Sequence, residues 1–262
     1  MAIRKPGKAR AVPEDGRMPL LEHLTELRDR IIKVGIAVVV GMLVAWFLYP
    51  WIFDALLEPY CDLQGASVDD CTLLQTEPLE GFSVRLKIAG YGGVALAMPV
   101  ILWQLWRFIT PALYAHEKKD AIPFVVSALV LFVLGASLAY YTLPRALEFL
   151  TNIGGENLDE RFRPAPYFQL VTYMMLAFGI GFEFPIVLVF LQLAGVVTTK
   201  NLRDMRRYAI VGIVILVAVI TPSGDPYSLA ILSIPMYLFY ETSIIIGTLL
   251  TRRKRRTEGL RA

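Results

Sequence analysis

Six apolar stretches alternate with polar segments along the chain, at residues 31–49, 88–106, 122–143, 168–197, 209–220 and 227–250. Most of them reach the roughly 20 apolar residues that a helix needs to cross a bilayer. The pattern predicts an all-α polytopic membrane protein with six transmembrane helices. We expect a disordered tail over residues 1–19, a membrane domain over 20–250 and a basic tail over 251–262.

The fifth and sixth stretches are short. The twelve residues of the fifth rise only ~18 Å, against a hydrocarbon core of ~30 Å. Pro235 interrupts the sixth and shortens its effective length. A re-entrant hairpin is the alternative to two crossings, although the sixth stretch is long enough to span even when kinked.

Charge predicts the orientation. Of the 26 Lys and Arg residues, 21 fall on the side that holds both termini, which the positive-inside rule assigns to the cytoplasm. Residues 1–18 have no apolar core, so we do not expect a cleavable signal peptide. The two basic tails favour contact with anionic lipid over nucleic-acid binding.

Residues 20–33 predict an amphipathic helix that continues into the first span. Leu20, Leu24, Leu27 and Ile31 form one apolar stripe. The stripe places the Glu26 carboxylate close to the membrane surface. The alternative interpretation is a solvated helix end in which Glu26 pairs with a residue four positions on, Arg30.

Three other carboxylates are candidates for function. Glu117 follows the second span beside Lys118 and Lys119, which alternatively neutralise it as an ordinary surface group. Glu183 lies near the middle of the fourth span, where a charged group is expensive and usually functional. Its expected partners are Gln192, Gln104, Tyr173 or Thr172. Asp225 lies in the short turn between the last two spans, where simple turn chemistry is the alternative.

The two cysteines, Cys61 and Cys71, both lie in the polar segment between the first two spans. On an oxidising face they favour a disulfide, with two free thiols as the alternative. The sequence has no H-E-x-x-H, phosphate-binding loop or G-x-S-x-G motif. We therefore expect no enzyme, no metal site and no cofactor.

Five motifs resemble the TatC family, the core receptor subunits of the twin-arginine protein translocase. They are HLTELRDR at 23–30, PVILWQLWRFITPALYAHEKK at 99–119, FGIGFEFPI at 178–186, LRDMRRY at 202–208, and TPSGDPYS with IPMYLFYE within 221–241. The similarity spans about residues 20–250, in order and at compatible spacing. The cysteine pair is similar to the actinobacterial branch of the family.

The resemblance implies a concave, glove-like bundle of six helices in the bacterial cytoplasmic membrane, with both termini cytoplasmic. Such proteins bind the S-R-R-x-F-L-K type of signal peptide on folded cargo at the cytoplasmic face, and they nucleate the export complex. The implied partners are single-span TatA- and TatB-like proteins, further copies of the chain itself and the lipid bilayer.

The resemblance also implies residue roles. Glu26 and Glu117 match the two signal-peptide-binding glutamates of the family, Phe108 its motif aromatic, Arg28 its motif arginine and Glu183 its membrane glutamate. Two looser matches concern the outer side. Asp225 matches the hairpin aspartate, although this chain has one residue more there than some members, and Pro59 matches a proline in a poorly matched loop.

Chemistry supports the two glutamates independently, because arginine forms bidentate pairs with carboxylates and lysine does not. The competing interpretation is a secondary transporter of a small solute that uses Glu183 within the membrane.

Overall fold

The computed structural model describes residues 20–68, 71–109, 121–154, 162–193, 195–221 and 225–259. Within these ranges the chain forms nine helices and no strand, so the all-α prediction is confirmed. In chain order the helices are α1 (Leu20–Phe47), α2 (Tyr49–Gln64), α3 (Glu80–Ile109), α4 (Ala121–Gly154), α5 (Pro164–Gly181), α6 (Phe184–Leu193), α7 (Thr199–Asp204), α8 (Arg206–Ile220) and α9 (Pro226–Gly259).

Within the described part of the chain, five helical segments are long and apolar enough to cross a membrane. They are Leu24–Phe47, Glu80–Phe108, Ile122–Ile153, Pro164–Gln192 and Pro226–Leu249. The fourth of these segments combines α5 and α6. Helix α8 has 15 residues and rises about 22 Å, which is less than the thickness of a typical hydrocarbon core. The count of six crossings and the side of each terminus stay predictions.

Among the described helices, α1 and α3 share the most extensive packing. They run antiparallel, because Arg30 bonds to Gln104 near one end and Trp46 contacts Phe82 near the other. Between these points the backbones meet at glycine, and a Cβ added to Gly93 would lie 2.6 Å from the backbone N of Met42. Small residues let membrane helices approach in this way.

A helix, α2, occupies the segment in which the sequence predicts only a polar loop. Pro50 lies in its first turn, where the missing N–H of proline is not needed. Three of its own side chains are buried, those of Leu56, Leu57 and Tyr60. Gly65, with φ +65°, ends the helix in the left-handed conformation that glycine accommodates without strain.

Two cross-links hold the segment between α2 and α3. Cys61 and Cys71 are joined by a disulfide, with their Cα atoms 5.7 Å apart. The side chain of Glu80 is only 1% exposed, and it accepts hydrogen bonds from the backbone N–H groups of Thr76 at 3.0 Å and Ala165 at 3.3 Å. Glu80 therefore ties the start of α3 to the start of α5.

An arginine completes this cross-linked region. Arg163 Nη2 donates to Glu77 Oε1 at 2.8 Å, and Arg163 Nε lies 3.5 Å from Glu80 Oε1. The hydrogen bond to Glu77 and the charge of Glu80 raise the pKa of the Arg163 guanidinium. The guanidinium thus keeps its charge and holds the two carboxylates together.

Several helices differ from the predicted spans. Helix α3 begins at Glu80, although the sequence predicts a start at 88. Helix α4 continues through Pro144 to Gly154, although the sequence predicts an end at 143. The predicted fourth span is instead divided, because α5 ends at Gly181 and α6 begins at Phe184. Pro185 has no N–H to continue the ladder. At the break, the N–H of Glu183 bonds to the carbonyl of Ile180, only three residues before it.

The divided span separates two groups of neighbours. Helix α5 packs mainly against α3 and α4, whereas α6 packs mainly against α9. The main core lies around the fully buried side chains of α5, including Phe168 and Phe178, and reaches Leu232 and Met236 of α9.

Candidate functional site

The carboxylate of Glu26 lies near the N-terminal end of α1, beside a residue that reaches α3. Arg30, one turn later, donates from Nη2 to Glu26 Oε1. Nη1 of Arg30 donates to the backbone carbonyl of Gln104 in α3 at 3.2 Å. The side chains of Arg30 and Glu26 are 12% and 26% exposed. The i,i+4 pair that the sequence offers as an alternative is therefore present, and it is partly buried.

Two acceptors on the residues that Arg30 bonds have no hydrogen-bond partner among the described residues. They are Oε2 of Glu26 and Oε1 of Gln104, both shielded from solvent. Buried acceptors normally have a partner, because leaving one without a bond costs about 1–3 kcal/mol. The two acceptors lie on the two residues that Arg30 joins. This end of α1 and α3 can therefore receive a ligand with several N–H donors.

The other residues predicted for this site are spread around it. Arg28 is exposed and pairs with its neighbour Asp29, with Nη2 2.9 Å from Oδ1. Phe108 is partly buried and lies one turn beyond Gln104, close to the end of α3. Glu117 lies outside the described residues. Of the predicted set, the structure thus brings Glu26 and Phe108 to one end of the α1–α3 pair and leaves Arg28 pointing to solvent.

Glu183 occupies a different place, at the break between α5 and α6. It lines a mostly apolar cavity of about 540 Å³ between α3, α4, α6 and α8, with Leu102, Trp106 and Leu216 among its walls. Its Oε1 is buried and has no partner within the described part of the chain.

None of the hydrogen bonds found for the expected partners reaches Glu183. Gln192 bonds to the carbonyl of Ser243, Thr172 to the carbonyl of Phe168, and Gln104 to Arg30 through its backbone. Among the described residues, Oε1 of Glu183 thus has no partner in a mostly apolar cavity, an environment in which a charged carboxylate is costly.

The two candidates on the predicted outer side have structural contacts. Asp225 is 3% exposed, and its Oδ1 accepts from the backbone N–H of Ser228 at 2.6 Å, in the first turn of α9. Asp225 therefore caps the start of α9, a structural role where the sequence offers simple turn chemistry as the alternative. Pro59 is buried inside α2. In the described ranges, His, Cys, Asp and Glu side chains form no cluster of three that would hold a metal ion.

A family model described as "Sec-independent protein translocase protein (TatC)" matches residues 22–235. The chain belongs to the TatC family. Its TatC relatives include a protein of Frankia casuarinae, 43% identical over 92% of this chain and 68% of that protein. Another TatC, from Aquifex aeolicus, is 41% identical over 91% of this chain and 98% of its own length.

A solved structure agrees with the TatC assignment. The crystal structure of a "Twin Arginine Translocase Receptor- TatC" superposes with a TM-score of 0.73, at 39% identity, over 87% of this chain and 99% of that one. The resemblance found in the five motifs is therefore confirmed. So is the expectation that the chain is a membrane component of protein transport and not an enzyme, because TatC proteins are translocase components.

Two residues of the candidate TatC site are missing from the sequence-based set. Arg30 lies within the HLTELRDR motif, but the motif match alone assigns a role only to Glu26 and Arg28. Gln104 lies 74 residues away and is predicted as a partner of Glu183 instead. The i,i+4 spacing is the signal that identifies Arg30. No sequence signal identifies Gln104, because its position depends on the antiparallel register of α1 and α3.

Proposed function

We propose that this chain binds the twin-arginine signal peptides of folded proteins at the cytoplasmic face of the bacterial cytoplasmic membrane. Bound there, it nucleates the complex that exports them. The observation that carries the proposal is the partly buried Glu26, whose Oε2 lacks a partner among the described residues. A guanidinium is the side chain that best completes such a carboxylate, because its donors form a rigid planar fork.

Three further residues contribute to recognition in this proposal. Glu117 receives the second arginine of the pair, Phe108 packs against the apolar part of the peptide, and Arg28 excludes cations that lack a complementary fork. The partly buried Phe108 on the turn after Gln104 supports this arrangement. The exposed guanidinium of Arg28 supports a role in screening approaching charge.

The proposed complex includes TatA- and TatB-like single-span proteins and further copies of this chain. Asp225 and Pro59 belong to the outer-side region that meets these partners, and because both are buried they support that surface from within the chain. Both termini are cytoplasmic, in accordance with the distribution of Lys and Arg. Membership of the TatC family favours this function over transport of a small solute.

The test is copurification of a folded twin-arginine precursor with the full chain, compared with a precursor that carries two lysines in their place. Wild-type protein should retain the twin-arginine precursor selectively. Glu26→Gln should reduce the retained amount about tenfold, the worth of one charge-assisted hydrogen bond.

A matched control exists in α7. Asp204 is exposed, and Asp204→Asn removes the same charge without touching Glu26 or the Arg28–Asp29 pair, so it should bind like wild type. Equal retention of the two precursors by wild-type protein, or unchanged retention by Glu26→Gln, would refute the proposal.

A further inference from the structure

We propose that Arg30 is a specificity-determining residue, which neutralises Glu26 so that the site selects a guanidinium by hydrogen-bond geometry and not by charge. In this arrangement Gln104 supplies the second acceptor for the incoming group. The inference rests on the proposed function and adds two residues to it.

Arg30 is bound more firmly than the other cations of α1 that the structure describes. It has the least exposed side chain of these, 12%, and it bonds both to Glu26 and to the backbone of Gln104. Arg28 and Lys33 are both exposed. A guanidinium held from both helices is a fixed part of the site. It cannot be treated as a mobile surface charge.

The ion pair uses only one oxygen of Glu26, and Gln104, whose backbone Arg30 also bonds, carries a second acceptor on its side chain. Arg30 engages Oε1 of Glu26, while Oε2 and the side-chain oxygen of Gln104 have no partner in the described ranges. Arg30 Nε is also buried without a partner there. The site thus offers two oxygen acceptors whose combined charge is already balanced by a resident cation.

This balance discriminates between arginine and lysine. A neutral ion pair attracts an approaching cation weakly, so a ligand must gain its binding energy from directed hydrogen bonds. A guanidinium has five N–H donors in a plane and is weakly hydrated, and it can bridge two separated oxygens. An ammonium is a compact, strongly hydrated point charge, so it loses more hydration and gains less when no net charge attracts it.

Without Arg30, Glu26 would be an uncompensated carboxylate and would attract any cation. The affinity for a lysine peptide would then rise more than that for an arginine peptide, because the arginine peptide already binds through its hydrogen bonds. The proposal therefore predicts that loss of the Arg30 charge tightens binding of a twin-lysine peptide and narrows the preference for twin arginine.

The experiment measures the dissociation constants of two peptides for the full chain in lipid nanodiscs. The peptides follow the S-R-R-x-F-L-K pattern and differ only in Arg–Arg or Lys–Lys at the paired positions. The ratio of interest is the dissociation constant of the twin-lysine peptide divided by that of the twin-arginine peptide. In Arg30→Gln this ratio should fall about tenfold, mainly because the twin-lysine peptide binds more tightly. In Arg30→Lys, which keeps the charge, the ratio should stay close to that of wild type.

The matched control is Lys33→Gln, which removes the same charge from an exposed position of the same helix and should leave the ratio unchanged. An unchanged ratio in Arg30→Gln, a loss of both peptides in that variant, or an equal narrowing in Lys33→Gln would each overturn the inference.

A second variant decides the matter if Arg30→Gln does not fold. Gln104→Met removes the acceptor and keeps the length of the side chain, so it should weaken twin-arginine binding and leave twin-lysine binding almost unchanged. Equal weakening of both peptides would overturn the inference. A wild-type protein that does not prefer twin arginine would instead refute the proposed function, so the two failures are distinguishable.

Discussion

Arg206 Nη2 lies 2.7 Å from Glu241 Oε2, and this ion pair joins the first turn of α8 to α9. Tyr237 donates to the other carboxylate oxygen at 3.2 Å. Helix α8 corresponds to the shortest of the predicted spans and packs mainly against α9. The ion pair therefore anchors the start of α8 to α9.

Replacement of Arg206 should therefore loosen α8. The pair is partly exposed, at 48% for Arg206 and 27% for Glu241, so we expect Arg206→Gln to lower the free energy of unfolding by only about 0.5–1 kcal/mol. Thermal unfolding in detergent would measure the change. The neighbouring Arg207 is also exposed, and Arg207→Gln should have no effect. Equal shifts of the two melting temperatures would show that the Arg206–Glu241 ion pair does not stabilise α8.

The glycines of α3 should respond very differently to the same substitution. Gly93→Ala would place a Cβ 2.6 Å from the backbone N of Met42, so we expect a loss of about 1–3 kcal/mol as α1 and α3 separate. Gly90 has nothing within 4 Å of an added Cβ, and Gly90→Ala should be neutral or stabilising by up to about 1 kcal/mol. Melting temperatures in detergent would distinguish the two, and similar values would show that the helices do not meet at Gly93.

Glu183 should matter for transport more than for signal binding. Its carboxylate lies in the apolar cavity at the α5–α6 break, whereas Glu26 is paired with Arg30 near the start of α1. We expect Glu183→Ala to retain the twin-arginine precursor but to reduce its export in cells to a small fraction of wild type. Val187→Ala, which alters the same cavity and keeps the carboxylate, should export normally.

Glu183 also provides a test between the translocase function and transport of a small solute. Solute flux into proteoliposomes that contain this chain alone, with dependence on Glu183, would support the transporter. Normal export by Glu183→Ala would show that the carboxylate has no role in transport.

The Cys61–Cys71 link should stabilise the segment between α2 and α3. Mass spectrometry without reductant should find the two residues in one cross-linked peptide. Replacement of both by serine should lower the free energy of unfolding by about 2–3 kcal/mol, the value expected for a small closed loop. A reductant should destabilise wild-type protein and leave the double variant unchanged, and free thiols in untreated protein would contradict the prediction.

The amphipathic start of the chain is the part that the sequence predicts best. The stripe of Leu20, Leu24, Leu27 and Ile31 indicates a helix that continues into the membrane, and α1 runs unbroken from Leu20 to Phe47. The Glu26–Arg30 pair also follows from spacing, because residues four apart lie on one face of a helix.

Interhelical register is the part that sequence patterns do not contain. The run of glycines in α3 indicates a close helix approach. Only the structure distinguishes Gly93, which meets α1, from Gly90, where an added Cβ would have no atom within 4 Å. The role of Gln104 depends on the same register. Helix α2 is missed for another reason, since acidic residues and Pro59 hide its buried face in a segment that reads as a loop.

The two-residue break at Phe182 and Glu183 has a mechanical consequence. One side of it continues into α5, which is packed against α3 and α4, and the other into α6, which is packed against α9. Bending of a helix concentrates where its hydrogen-bond ladder is interrupted. A rotation of α6 and α9 relative to α3, α4 and α5 would therefore change mainly the backbone dihedrals of these two residues. The cavity that Glu183 lines would widen or narrow with that rotation.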